Sequence, residues 1–470
     1  MLFTYDQAFD ATNVLEILSG DFKILGAPSG ITGLFHGPLY YYLLTPAYLI
    51  GRGDPRFALI EIILLNLASA IPLAILSQKL FKSRTVTILC VLLYMASFEA
   101  VSYGRWLSNP TIALPALSIF YLGLWQVIRG EKWGWILTAV GLGAAIQAQV
   151  FLIYLIVIVP LILLIFKIKP NPKKFLAMGL VIFLAFLSPF IAAEIKYHFK
   201  ATQGLFASIN TSSTQNYSFS DHAHHYIYES ARLAKYNLFP PSREIAIGFG
   251  LIILGLALYC RNKSKTDKLG LNYLFLLLFS SVILFVFSNY GSYYINIGTL
   301  FPLILITSYV LTKIPKIMAL ATLVIIILGN VASIVKYNQQ GNILFQVQEG
   351  MILKDRLDLI KKTFEFSADR QFSINSATNP LFYPTTWAYL YQLYAKANNL
   401  TLPHYHGNTA STFKGDHVFP RSGEITPVEF TIIEPDIPKD WVSKIIAEDD
   451  LRKPVTQKLH FGAFTLLVRE

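Results

Sequence analysis

At 470 residues, 54% hydrophobic and 14% charged, with a mean hydropathy of +0.49, the chain is too apolar and too thinly charged for a soluble protein of its length. Its net charge of +11 does not point to nucleic acid, because the basic residues sit in short clusters between apolar segments, as membrane topology requires. The two cysteines, Cys90 and Cys260, fall inside apolar runs and define neither a disulfide framework nor a redox compartment.

The chain opens on a polar stretch from Phe3 to Leu44. Asp6 and Asp10 stand four residues apart in an amphipathic segment, a spacing that puts both acids on one face of a helix. A Gly/Pro-rich loop follows, then the aromatic run His36-Gly37-Pro38-Leu39-Tyr40-Tyr41-Tyr42. Residues 38–51 are apolar for only about fourteen positions, too few to cross a hydrocarbon core, and Arg52, Asp54 and Arg56 close the run. This predicts a juxtamembrane or re-entrant helix. Met1 stands directly before the polar segment with no signal or spanning helix ahead of it. The expectation is either a translocated amino terminus or a missing upstream span.

Apolar runs then recur at 56–79, 84–98, 110–128, 133–148, 150–166, 175–193, 244–260, 269–288, 293–312 and 317–335, which predicts about ten spans. Basic clusters at Lys79/Lys82/Arg84, Arg129/Lys132, Lys167/Lys169/Lys173/Lys174, Arg261/Lys263/Lys265/Lys268 and Lys313/Lys316 occupy every second connection. By the positive-inside rule those are cytoplasmic, which places 1–55, 99–109, 194–243, 289–292 and 336–470 outside. The expected organisation is an external loop with juxtamembrane helices over 1–55, a transmembrane helical domain over 56–335 and an external α/β domain over 336–470.

The external stretch 194–243, rich in Ser, Thr, Asn and His, is long enough to roof a site between spans. From 336 the composition turns ordinary and soluble. The segments QFSINSA and VEFTIIE read as strands, TTWAYLYQLYAKANN and KDWVSKIIAEDD as helices, and QKLHFGAFTLLVRE as a terminal hairpin around Gly462. This domain carries no phosphate loop, no metal-spaced Cys/His set and no nucleophile elbow.

The acidic YDQAFDA, the following GD and G-x-P stretch, FHGPLYYYLL and SYGRWLSNP together resemble the C-type integral-membrane glycosyltransferases (GT-C) of the protein-mannosyltransferase and aminoarabinose-transferase kind. The resemblance covers roughly the first 340 residues. It implies a catalytic base in the first external loop, which falls on Asp6, and a second acid that corresponds most nearly to Asp10. It also implies a polyprenyl-phosphate-linked sugar donor and transfer on the external face of the plasma (inner) membrane, to a lipid, glycan or protein acceptor. Two family features depart here: the first spanning helix, and a basic residue near the last external turn, where Gly291-Ser292 stand before Tyr293-Tyr294.

The chemistry agrees with that implication. A sugar leaving as polyprenyl phosphate already has a good leaving group, so the enzyme needs a base for the acceptor hydroxyl and positive charge for the departing phosphate. Attack assisted by a single base inverts the anomeric centre. The external cations for the phosphate are Arg105, Arg232, Lys235 and Arg243, with Arg105 and Arg243 favoured because arginine makes bidentate contacts. His36, Tyr40 and Tyr293 are the expected lining residues.

Each residue also has a plainer role open to it. Asp6 and Asp10 suit the polar first turns of any helix, Arg105 beside Trp106 suits an interfacial anchor, and Tyr40–Tyr42 an aromatic belt. Gln147 and Gln149 suit a helix-packing corner. His222, His224 and His225 sit too close together on an exposed loop to converge easily on one ion, so no metal ligands are assigned and a divalent metal stays open as cofactor. A transporter or lipid flippase is the main alternative, though no span shows a central charged pair and no inverted repeat is evident. A non-catalytic membrane scaffold is the other.

Overall fold

The computed structural model describes residues 1–214, 218–283, 296–339, 341–344, 348–368, 370–410, 412–421 and 423–470. Its helices begin with α1 (Tyr5–Leu18), α2 (Leu39–Ile50), α3 (Pro55–Ala68), α4 (Ala70–Phe81), α5 (Arg84–Ala96) and α6 (Phe98–Gly104). They continue with α7 (Ala113–Ile128), α8 (Gly134–Ala148), α9 (Leu155–Ile165), α10 (Lys173–Lys196), α11 (Lys200–Thr214), α12 (Phe219–Leu238), α13 (Arg243–Lys263) and α14 (Lys265–Leu278). Further helices span Leu300–Leu311, Lys316–Gln339, Leu353–Ser367, Thr385–Asn398 and Lys439–Asp450.

Among the described residues, five helical stretches are long and apolar enough to cross a membrane: Pro55–Phe81, Asn109–Ile128, Lys173–Lys196, Arg243–Lys263 and Lys316–Gln339. The pair α5 and α6, bent by 59°, makes a sixth if it is one broken span. Gly134–Ala148, Val150–Ile165 and Leu300–Leu311 are apolar but shorter. The chain is thus a multi-pass membrane protein; these helices match nine of the ten expected apolar runs, and the tenth, 269–288, extends beyond residue 283 into residues outside the described ones.

Two compact units divide the chain. The larger comprises Lys23–Leu43 and Ile60–Lys336. Its tightest seam is the α7/α8 hairpin, where small residues let the backbones meet: a Cβ at Gly141 would lie 2.3 Å from the Phe120 amide nitrogen, and one at Gly123 would lie 2.4 Å from that of Thr138. With no hydrophobic drive between helices in lipid, such close approach is what holds them. The break between α5 and α6 is equally specified. Ser97 caps α6 by accepting from Ala100 N at 3.1 Å, and the Phe98 N–H donates to Asn330 Oδ1 at 2.8 Å. Ser97 Oγ donates to Asn237 Oδ1 at 2.6 Å, and Asn237 Nδ2 donates to Glu99 Oε2 at 2.5 Å. A kink in apolar surroundings frees backbone groups, and these side chains take them up.

The smaller unit comprises Met1–Phe22, Leu44–Leu59 and Tyr337–Glu470. Its sheet has the order β2-β1-β3-β5-β4, with β1 (Phe372–Ala377), β2 (His404–Tyr405), β3 (Val428–Ile433), β4 (Gln457–Phe461) and β5 (Phe464–Arg469). β1 runs parallel to β2 and β3, and β5 returns antiparallel to β3. The predicted strands, both predicted helices and the hairpin at Gly462 (φ +56°) are all present; β2 and the helix Leu353–Ser367 are additions. Arg356, fully buried, pairs with Glu434 at 2.8 Å and lies over Trp387 and Phe464. The amino-terminal segment belongs to this unit through main-chain bonds: Phe3 N donates to Met351 O at 2.9 Å and Leu353 N to Met1 O at 3.0 Å. Phe3 stacks on Tyr389 at 5.6 Å.

Candidate active site

Within the smaller unit the acids stand on α1. Gln7 reaches back to accept from the Thr4 N–H at 2.9 Å, satisfying a donor that the first turn leaves open and fixing where the helix starts. The buried stripe of α1 holds Ala8, Ala11, Val14 and Ile17, and Asp10 lies within it at 4% exposure. Asp6, one turn earlier, keeps its surface in solvent. Protein mass around its carboxyl nonetheless raises it above the ordinary carboxylate range by desolvation. The two acids sit one helical turn apart, yet only Asp6 presents itself to solvent. That arrangement gives Asp6 the access a general base needs and leaves Asp10 to the packing side.

Within the larger unit, the loop that carries His36 is pinned to the corner between α8 and α9. Gly26 N donates to His36 O and His36 N to Ala27 O, both at 2.9 Å. Gly37 N donates to Gln147 O at 2.9 Å, and the Gln147 side chain accepts from Leu39 N at 3.3 Å while donating to Phe186 O. His36 Nδ1 accepts from Val150 N at 3.3 Å, which leaves the proton on Nε2 and makes the ring neutral. Burial pushes its pKa down to about 4, in the same direction. His36 and Gln147 therefore act as staples here. Tyr40 and Tyr41 are buried in the core, whereas Tyr42 turns outward and donates to Lys23 O at 2.8 Å.

Arg105 caps the end of α6, half-buried beside Asn66, Tyr94 and Met95, and no ion pair to it occurs among the described residues. Desolvation lowers its pKa, the signature of a cation that would gain from an anion. Arg243 opens α13 with its guanidinium 4.4 Å from the centre of the Tyr228 ring. Arg232 is taken by Glu229 at 2.6 Å. Tyr293, with Gly291, Ser292 and Tyr294, lies outside the described residues. Among the described residues no three His, Cys, Asp or Glu side chains gather as a metal site.

A cavity of about 680 Å³ opens in this unit between the 25–35 loop, the α8/α9 corner, α10 and α11. Leu34, Val150, Phe190 and Ile191 make its apolar wall, and Glu194, Lys200 and Thr202 its polar end. Glu194 accepts from the Ala201 and Thr202 amides at 3.1 and 3.3 Å, capping α11. Lys200 was not among the cations singled out from sequence; its place at the start of the roofing stretch was the available signal. Asn109 was missed as well. It is 2% exposed, and neither side-chain atom finds a partner among the described residues. The fully buried Gln149 amide is in the same state. The antiparallel α7/α8 register places both at one end of the hairpin. Buried amides without partners are costly, and these two mark that end as a place for a polar ligand or water.

No protein-family model and no curated protein matches the chain. Among solved structures, the fold is similar to ArnT from Cupriavidus metallidurans bound to undecaprenyl phosphate, at TM-score 0.58 and 8% identity over 99% of this chain and 94% of that one. The apo state of the same ArnT aligns over the same shares at 9% identity and TM-score 0.48. The first likeness shows an ArnT-like fold, the fold that the sequence resemblance implies.

Proposed function

We propose that this chain is a membrane glycosyltransferase that moves a sugar from a polyprenyl-phosphate donor to an acceptor hydroxyl on the extracytoplasmic face, with inversion. The observation that carries the reading is the fold likeness, across 99% of the chain, to an ArnT whose structure holds undecaprenyl phosphate. The cavity of about 680 Å³ supports it, because an apolar wall with a polar end suits a prenyl chain and its headgroup. Asp6 takes the proton from the acceptor hydroxyl as that oxygen attacks the anomeric carbon, and the bond to the lipid phosphate breaks with its electron pair staying on the phosphate. A cation meets the phosphate charge, either Lys200 at the polar end of the cavity or Arg105, which lines a separate pocket with Asn66, Tyr94 and Met95. Arg243, held over Tyr228, orients the roofing helix α12.

The test is sugar transfer from a polyprenyl-phosphate donor by purified protein, with donor binding measured separately. Asp6→Asn removes basicity at constant size and should lower transfer by about 10²–10⁴-fold while donor binding persists. Arg105→Ala should instead raise the donor KM, since a charged hydrogen bond is worth about 1.5–3 kcal/mol. Wild-type transfer by Asp6→Asn would remove the base assignment. Donor movement across vesicles without transfer would favour the flippase.

A further inference from the structure

The smaller unit contains a second cavity, of about 610 Å³, that the transfer chemistry does not use. Its walls are the carboxy-terminal half of α1, the end of α2, the helix Thr385–Asn398 and the 415–418 turn. Thr12, Ser19 and Gln392 offer hydroxyl and amide groups, and Arg52, Lys396 and His417 offer nitrogen donors.

The charge balance of the lining is positive. Glu16 is already held by Lys414 at 2.6 Å, and Asp54, on the turn that carries Arg52, is held by Arg56. Asp416 lies 3.7 Å from His417. Neither Arg52 nor Lys396 has an ion pair among the described residues. Arg52 is fixed in place by its turn, in the left-handed region at φ 51°, with its N–H donating to Leu49 O at 3.3 Å and Gly53 N to Tyr48 O at 2.9 Å. Its backbone is therefore set at a fixed corner of the cavity, from which the side chain extends.

The rim has the opposite character. Leu49 is 64% exposed and lines the cavity, and Ile50 beside it is 71% exposed. On the α1 side Leu18 lines the cavity and is exposed, with Phe22 at 73% exposure four residues on. Large apolar side chains left bare next to cations are the pattern of a surface seated in the headgroup zone of a bilayer.

We propose that this cavity binds the headgroup of an anionic glycerophospholipid. The phosphodiester meets Arg52 and Lys396, headgroup hydroxyls meet Gln392 and Ser19, and the acyl chains leave over Leu18, Leu49 and Ile50. A free phosphate would gain only the first contact, whereas the lipid also covers the rim. The site is independent of the transfer reading and stands or falls separately.

Native mass spectrometry of the full chain in neutral detergent, titrated with phosphatidylglycerol, tests it. Removing both charges in Arg52→Gln/Lys396→Gln should weaken the tightest retained lipid by roughly tenfold or more, counting each cation as a surface attraction to anionic lipid. Lys173→Gln/Lys174→Gln makes the same change in net charge elsewhere and should leave that retention unchanged. Phosphatidylcholine should be retained weakly by all three proteins, and glycerol phosphate should compete only at much higher concentration. Equal losses in the two double variants, or equal retention of both lipids by the wild type, would overturn the site. Displacement by glycerol phosphate at matched concentration would overturn the lipid as the source of the anion. Should the glutamine pair fail to fold, Lys396→Glu alone, on an exposed helix face, must show the same selective loss, and Arg52→Lys/Lys396→Arg must keep the lipid.

Discussion

Asp6 carries a desolvation cost on α1. Desolvation raises its pKa above the ordinary 3.8, so the folded protein favours the protonated carboxyl. The favourable contribution is present below the unfolded pKa and is lost as pH rises through the folded one, leaving an ionised carboxylate that opposes folding at neutral pH. Asp6→Asn should therefore melt at or above the wild-type temperature while losing transfer, and a lower melting temperature would mark Asp6 as structural. For the same reason the acid limb of the wild-type pH–rate profile should lie above the pKa of an unperturbed aspartate. The acid pair was legible in the sequence because four-residue spacing is a helix signal by itself. The difference between the two acids was not, because it depends on which side of α1 the packed unit covers. Asn109 escaped for a related reason: an amide in a short polar loop has no pattern until the burial around it is known.

Short polar elements are held by long-range staples that no local pattern reveals. The loop 26–39 is fixed through His36 and Gln147 to a corner more than a hundred residues away. His36, neutral and buried with a pKa near 4 against about 6.5 unfolded, contributes stability that is complete above pH 6.5 and is lost as pH falls toward 4. The loss amounts to roughly 3 kcal/mol. His36→Asn, which keeps an acceptor near the Nδ1 position, should flatten the fall in melting temperature between pH 7 and pH 5; an unchanged slope would move that pH response to another group. Asn330 has the corresponding role at the α5/α6 break, where it accepts from Phe98 N and donates to Asn237 O at 3.1 Å. Asn330→Leu leaves the Phe98 N–H buried without its acceptor and should cost about 1–3 kcal/mol in thermal unfolding. Hydropathy finds α5 as an apolar run but cannot find the 59° bend after it, since the residues that permit the bend come from α12 and the helix Lys316–Gln339.

At the scale of the molecule, the strands and helices of the last 135 or so residues could be read from alternation and turn residues, and the apolar runs announced the membrane helices. The partnership of the first helix with the last domain could not be read, because it joins segments more than three hundred residues apart. That partnership makes a direct prediction. The seat of α1 consists of main-chain bonds from Met1 and Phe3 to Leu353 and Met351, the Phe3–Tyr389 stack, and the Glu16–Lys414 ion pair at 2.6 Å. A chain ending at Gln339 keeps every long apolar helix and should still enter the membrane, but α1 loses all of these contacts. Isolated helices of fourteen residues are marginal in water. Amide hydrogen exchange over residues 5–18 should therefore rise from protected to near the unprotected rate in the truncated chain, while exchange over Ala113–Ile128 stays slow. Transfer should vanish with Asp6 still present in the polypeptide, because the proposed base no longer has a fixed position. Unchanged protection of α1 after truncation would show that the helix draws its order from elsewhere and that the carboxy-terminal domain does not position the base.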